Sequence, residues 1–192
     1  GEGGRIDIAL ADVALASVAN LGWYSEAVRG VERAPIGNAI YGSYGSSFAT
    51  SDGRHAMVVA LTPNQWRALV KVTGTTDRVA AIEAQHGVDF ARDENARYEH
   101  RVALGALLEP WFAAHDAAEV AAALSDARAL WAPYRTVTEA AERSEGPLTT
   151  VDQPGIGPVV SATAPQRWRG VDTVNRPAAR LGADTTAVLR EL

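Results

Sequence analysis

The spacing of apolar residues divides the chain into short elements. Ile6, Ile8 and Leu10 alternate with Arg5, Asp7 and Ala9, a period of two that predicts a strand over 5–10. Residues 11–28 carry Val13, Ala16, Leu21, Tyr24 and Val28 on a mostly apolar helical stripe. Asp12 lies in the first turn, where the helix dipole favours a carboxylate. Arg29-Gly30 ends that helix, with glycine in the C′ position. Strands are predicted at 47–50 and 56–61, joined through the hairpin turn Ser51-Asp52-Gly53. Thr62-Pro63 reads as an N-cap and first helical residue, with the helix running to Val72 and stopped by Gly74. Another helix is expected over 76–86, ended by Gly87, and then a loop over 88–94.

The longest helical pattern covers 95–114, with Leu104, Leu107, Leu108, Trp111 and Phe112 on its apolar face and Pro110 expected to kink it. Asp116 with Glu119, and Thr136 with Glu139, have capping-box spacing and open helices to Leu124 and about Glu142. Ala129-Leu130-Trp131 between them reads as a short strand. A loop at 144–147, a turn at 153–158, a strand at 159–162 and a polar irregular stretch over 167–177 precede a last helix, 185–192, capped by Asp184. The order of elements is that of an α+β fold without internal repeat.

One stretch fits no regular element. Residues 36–45 hold three glycines, Gly37, Gly42 and Gly45, with Asn38, Ser43 and the two tyrosines Tyr41 and Tyr44. Glycine permits backbone conformations closed to other residues and close approach to a ligand, and tyrosine adds a flat apolar face with a polar tip. Composition alone is equally that of a flexible connector.

Composition narrows the classes of function. The 192 residues suffice for one core or two small lobes, and 47% apolar with 21% charged residues is ordinary for a globular protein. A net charge of −5 and the lack of a basic stripe give no reason to expect nucleic acid. No cysteine is present, which excludes disulfides, thiol nucleophiles and thiolate metal sites and fits a cytoplasmic protein. No apolar run reaches the length of a membrane span, and no charged segment followed by an apolar core marks a signal peptide.

Familiar catalytic motifs are missing. His55, His86, His100 and His115 lack the spacing of a helical metal site, so no metal is expected. There is no Gly-x-Ser-x-Gly elbow, and Gly42-Ser43-Tyr44-Gly45 has neither the lysine nor the leading strand of a phosphate loop. Arg167 and Arg169 beside Trp168 read as a solvated loop, and Asp12 as a helix-start carboxylate.

Resemblance carries further. Gly1-Glu2-Gly3-Gly4-Arg5-Ile6-Asp7-Ile8-Ala9-Leu10 with Asp12 is similar to the "GxGQxIDVSLxDA" segment of family III CoA-transferases, the CaiB/BaiF group. Gly37-Asn38-Ala39 and the glycines after it, Asp52-Gly53, Gln65-Trp66, residues 176–182 (Arg-Pro-Ala-Ala-Arg-Leu-Gly) and the terminal Val188-Leu189-Arg190-Glu191-Leu192 resemble further landmarks in the family's order. Gly37-Asn38 with Tyr41-Gly42, Met57-Val58-Val59 with Leu61-Thr62, residues 107–112, residues 131–137 and residues 153–157 are closer to the subgroup that moves CoA within one dicarboxylate, such as mesaconate. Racemases of the superfamily carry a Glu where this chain has Leu61-Thr62-Pro63, which speaks against a racemase.

The resemblance implies the C-terminal half of the family's fold: strand, linker helix and glycine loop over 1–46, a small α+β domain over 47–143, and a segment over 144–192 returning to a Rossmann-like domain. It implies that an Asp carboxylate attacks the thioester of an acyl-CoA and forms a mixed anhydride, with CoA ending on a different carboxyl. That Asp belongs to the family's N-terminal domain, so no catalytic residue is expected here. Coenzyme A enters as part of the substrate, no further cofactor is implied, and the partners are the N-terminal domain and a second, interlocked copy. Gly37, Asn38, Tyr41, Gly42, Ser43, Tyr44 and Gly45 become candidates for a lid that excludes water, with the last four able to approach an oxyanion. Ala183-Asp184 replaces the family's usual Glu-His, and residues 145–151 are short for the family. A non-catalytic relative acting as an interaction module and a racemase-like enzyme are the alternatives.

Overall fold

The computed structural model describes residues 3–143, 148–166, 169–170 and 175–191. It is a mixed α/β chain with elements α1 (Leu10–Asn20), α2 (Trp23–Val28), β1 (Tyr44–Ala49), β2 (His55–Ala60), α3 (Pro63–Val72), α4 (Thr76–His86), α5 (Glu94–Glu99), α6 (Arg101–Ala114), α7 (Ala117–Asp126), β3 (Leu130–Pro133), α8 (Val137–Glu142), β4 (Leu148–Gln153), β5 (Gly157–Ala162) and α9 (Thr185–Glu191).

Residues 3–9 form no strand. A strand needs a partner for its hydrogen bonds, and Ile6, Ile8 and Leu10 stand exposed. The helix expected over 11–28 is two helices, because Gly22 takes a left-handed conformation (φ 78°) and turns the chain between α1 and α2. Gly30 then ends α2, its N–H donating to Ala27 O at 2.9 Å. Neither helix buries a residue: Val13, Leu15, Leu21, Trp23, Tyr24 and Val28 are exposed.

The core begins at Tyr44. Strands β1, β2 and β3 make an antiparallel sheet in that order, with β2 in the middle. Tyr44, Phe48, Val58 and Ala60 turn one face inward against Trp66, Leu69, Leu104, Leu108, Phe112, Val120 and Leu124 from the helices. Phe48 stacks on Phe112 with ring centroids 4.3 Å apart, and Tyr44 meets Trp66 edge-on at 5.3 Å. The turn Ser51-Asp52-Gly53 forms as expected, with Gly53 at φ 76°.

Local capping positions the helices. Thr62 and Gln65 form a capping box with Pro63 at the start of α3, and Asp116 with Glu119 and Thr136 with Glu139 do the same for α7 and α8. Gly74 and Gly87 follow α3 and α4 in left-handed conformations. The single helix expected over 95–114 is α5 and α6, with the break at His100, while α6 runs on through Pro110.

Strands β4 and β5 form a separate antiparallel hairpin around Pro154-Gly155-Ile156. The segment after it is strapped to this hairpin: Asn175 Nδ2 donates to Ala162 O at 2.7 Å, and Gln153 Oε1 accepts from the Ala178 N–H at 2.8 Å. The loop expected at 144–147, much of the irregular stretch over 167–177 and Leu192 lie outside the described residues.

Candidate functional site around the glycine loop

The glycines of residues 36–45 serve two different purposes. Gly37 and Gly42 sit at φ 59° and 75°, where a side chain is strained, and each turns the chain. Gly45 lies inside β1 and is required for another reason: a Cβ there would stand 2.5 Å from Cδ1 and 2.6 Å from Cγ1 of Ile40. The Ile40 side chain lies against the bare backbone of Gly45, and the Ile40 N–H donates to Gly45 O at 3.0 Å. The loop is thus folded back over the strand that follows it.

That bond also orients the edge of the sheet. It reaches Gly45 from outside, so the backbone groups of Gly45, Ser47 and Ala49 face away from β2, while alternate residues bond inward; the Thr50 N–H to Arg54 O bond (2.9 Å) keeps the same phase. This edge, residues 36–39 and one side of α6 enclose a cleft of about 480 Å³. Asn38, Ser46, Ser47, Arg101 and Glu109 give it polar groups, and Gly45, Gly105 and Ala106 leave it room. Asn38 Nδ2 donates to Ser47 Oγ at 3.3 Å.

Tyr41 faces a second cavity of about 520 Å³, between α2, residues 31–36 and α5. Its hydroxyl donates to Glu26 Oε1 at 2.9 Å, and Arg33 grips both oxygens of Glu26, Nη2 to Oε1 at 2.7 Å. The Arg33 guanidinium lies 3.6 Å from the centre of the Tyr41 ring and 4.9 Å from that of Trp23. Tyr41 meets Tyr98 edge-on at 5.1 Å, and Arg101 covers Tyr98 at 4.4 Å. Trp23, Arg33, Tyr41, Tyr98 and Arg101 therefore form one ladder of alternating contacts that ties the loop to the linker helix on one side and to α6 on the other. Hydrogen bonds from Arg33 and then Tyr41 hold the Glu26 carboxyl below the usual carboxylate range; the same bonds raise Arg33 and Tyr41.

Ser43 and Tyr44 are buried. The Ser43 hydroxyl donates to Ala60 O at 3.1 Å, and Tyr44 has no exposed surface. Burial pushes the Tyr44 hydroxyl upward, so it stays a neutral phenol. Beside them lies Arg97, 1% exposed, a residue that periodicity gives no reason to single out. Its Nη2 donates to Leu61 O at 2.9 Å, its Nη1 to Phe90 O, and Ser43 Oγ is 3.5 Å away. Desolvation lowers its pKa, partly offset by Glu94 and Asp93. Arg97 thereby joins the end of the loop, the exit of β2 and the turn before α5.

The structure brings Asn38 and Gly45 to one cleft and Tyr41 to the neighbouring cavity, and turns Ser43 and Tyr44 into the core. The rings of His86 and His100 approach to 4.4 Å, but among the described residues no group of three or more metal-ligating side chains converges.

Against this geometry the sequence comparisons are decisive for the family. The model of CoA-transferase family III matches residues 1–185. The chain belongs to CoA-transferase family III. Among its relatives, 2-methylfumaryl-CoA isomerase of Chloroflexus aurantiacus is 40% identical over 200 residues, covering 100% of this chain and 49% of the relative. The chain thus spans about half the length of the relative it matches. A CaiB/BaiF family protein from Brucella suis superposes with a TM-score of 0.66 at 21% identity, over 99% of this chain and 48% of that one. A Mycobacterium tuberculosis protein superposes at 0.65 with 19% identity, over 94% and 45%. Both share the family III fold with this chain. Among the described residues no helix is long and apolar enough to cross a membrane.

Proposed function

We propose that this chain is the half of a CoA-transferring enzyme that closes over the reacting acyl group, and that the enzyme moves CoA between the two carboxyls of a dicarboxylic acyl-CoA of the mesaconyl type. The observation that carries the reading is the 40% identity to a 2-methylfumaryl-CoA isomerase along the whole of this chain. The nucleophilic Asp comes from the other half of such an enzyme. Its carboxylate attacks the thioester carbonyl, CoA thiolate leaves, and a mixed anhydride forms; the thiolate then attacks the aspartyl carbonyl, releasing the acid's first carboxylate and leaving CoA on the Asp as a thioester. The second carboxylate attacks that thioester and expels thiolate, and attack of the thiolate on the acyl carbonyl of this second anhydride gives the isomer and frees the Asp.

An anhydride hydrolyses if water reaches it, so the role of the small domain is exclusion and positioning. Residues 36–42 are the exposed part of the glycine stretch and suit that role. Two positive-φ glycines let the chain turn sharply, and the Tyr41 ladder fixes where it turns. Gly37, Asn38, Tyr41 and Gly42 are the lid residues in this reading, and Ser43, Tyr44 and Gly45 anchor them to the sheet. The apolar faces of α1 and α2 are covered by the large domain and by a second copy in a cytoplasmic dimer.

Mixing this chain with the large domain of such an enzyme and assaying CoA transfer from mesaconyl-CoA tests the proposal. Transfer that needs both parts supports it. A folded complex that moves no CoA refutes it and leaves a non-catalytic interaction module, and racemisation without CoA movement would place the chain with the racemases.

A further inference from the structure

The cleft beside the glycine loop holds a cation that pairs with no carboxylate among the described residues. Arg101 opens α6, lines both the 480 Å³ cleft and the cavity of the Tyr41 ladder, and is half-buried. Its Nη1 donates to Tyr98 O at 2.9 Å, and its guanidinium lies over the Tyr98 ring at 4.4 Å. Those two contacts hold the planar fork in place and leave Nη2 and Nε without a hydrogen bond among the described residues. Arg101 takes part in none of the ion pairs of the described residues. Ser46 Oγ has no hydrogen-bond partner there either, and Ser47 Oγ, which accepts from Asn38, keeps its own proton to donate.

Glu109 is the one acidic group among the described residues that line the cleft. It lies eight residues along α6 from Arg101, about 12 Å at the helical rise per residue.

Resting on the function proposed above, we propose that Arg101 binds the free carboxylate of the dicarboxylic acyl-CoA, in a cleft whose other polar lining includes Asn38, Ser46 and Ser47. The carboxyl that is not bonded to CoA must be held while the other reacts, and a guanidinium fixed by stacking gives a paired, charge-assisted grip. The same subsite serves both isomers of the substrate, because each presents one free carboxylate. Arg101 is thus a specificity-determining residue for dicarboxylic over monocarboxylic acyl groups.

The test uses this chain assembled with the large domain. Arg101→Gln is expected to raise KM for mesaconyl-CoA about 10- to 100-fold, the worth of a charge-assisted contact, with a much smaller change in kcat. Inhibition by butyryl-CoA, which lacks the second carboxylate, stays at the wild-type level, and Arg101→Lys recovers part of the loss. Unchanged KM, or equal losses for both CoA esters, overturns the assignment. If Arg101→Gln does not fold, Asn38→Ala and Ser47→Ala on the exposed side of the cleft are expected to raise KM several-fold, and no change in either overturns it. A second measurement needs no turnover: mesaconate titrated into this chain should shift the Arg101 side-chain nitrogen resonance saturably, while chloride at equal ionic strength does not. A shift without CoA transfer would sink the proposed function and leave the subsite standing; transfer without the shift would do the reverse.

Discussion

Replacing Gly45 by alanine probes the joint between loop and sheet. The added methyl would lie 2.5 Å from Cδ1, 2.6 Å from Cγ1 and 3.0 Å from Cβ of Ile40. The first two atoms can swing aside, but the Ile40 Cβ moves only with its backbone, and that backbone is bound to Gly45 O at 3.0 Å. Overpacking of this kind costs about 1–3 kcal/mol, and weakening the hydrogen bond adds about 0.5–1.5 kcal/mol. Alanine returns about 0.4–1 kcal/mol by restricting the unfolded chain. The net expectation is a loss of about 1–3 kcal/mol, and at about 2–4 °C per kcal/mol for a chain of this size the melting temperature should fall by several degrees. Urea unfolding followed by tryptophan fluorescence measures it. The double variant Gly45→Ala with Ile40→Ala should cost less than the sum of the two single changes, because the second removes the contacts to Cδ1 and Cγ1, the two shortest that the first creates. A Gly45→Ala protein as stable as the parent, or additive costs in the double variant, would refute this account of why glycine stands at 45.

Other features give further expectations. Arg97→Ala should lower stability by about 2–5 kcal/mol, since it empties buried volume and strands the carbonyls of Leu61 and Phe90; chemical denaturation reads this directly. Glu26 has its carboxyl held below the usual range by Arg33 and Tyr41, so its folded pKa lies under the unfolded one. Its contribution is then fully present above the unfolded carboxylate pKa and is lost as pH falls through the depressed folded value. Trp23, which shares Arg33 with Tyr41, should report the loss as a fluorescence transition on acidification that Glu26→Gln removes.

What the sequence revealed was mostly local. The capping boxes at Thr62, Asp116 and Thr136 are written within four residues each, and all three formed. The glycine stops at Gly30, Gly74 and Gly87 and the turn at Gly53 held for the same reason. Misreadings came where a distant partner decides. The alternation of residues 5–10 satisfies a strand pattern, but a strand exists only with a neighbour to bond. Gly22 sits inside a good helical stripe, and its left-handed turn is invisible to periodicity, as is the break at His100. Tyr44 and Gly45 read as loop because glycine and serine surround them. In the structure β1 starts at Tyr44, since its ring fills the core against Trp66 and Ile40 covers the glycine. The Glu26–Arg33–Tyr41 ladder, the Arg97 junction and the cleft at Arg101 join residues far apart in sequence, so no spacing rule could have found them. Composition located the glycine stretch and family resemblance gave it a role; only the structure separates its turning glycines from the one that makes room for Ile40.

The central claim is that this chain supports CoA movement between two carboxyls of one acid. The most direct measurement is carbon NMR of mesaconyl-CoA labelled at the thioester carbon, incubated with this chain, with a large domain carrying the nucleophilic Asp, and with both. The account predicts that the label passes from thioester to free carboxylate only when both parts are present, and that no free CoA accumulates. A folded assembly in which the label stays at the thioester, or leaves it only by hydrolysis, would contradict it.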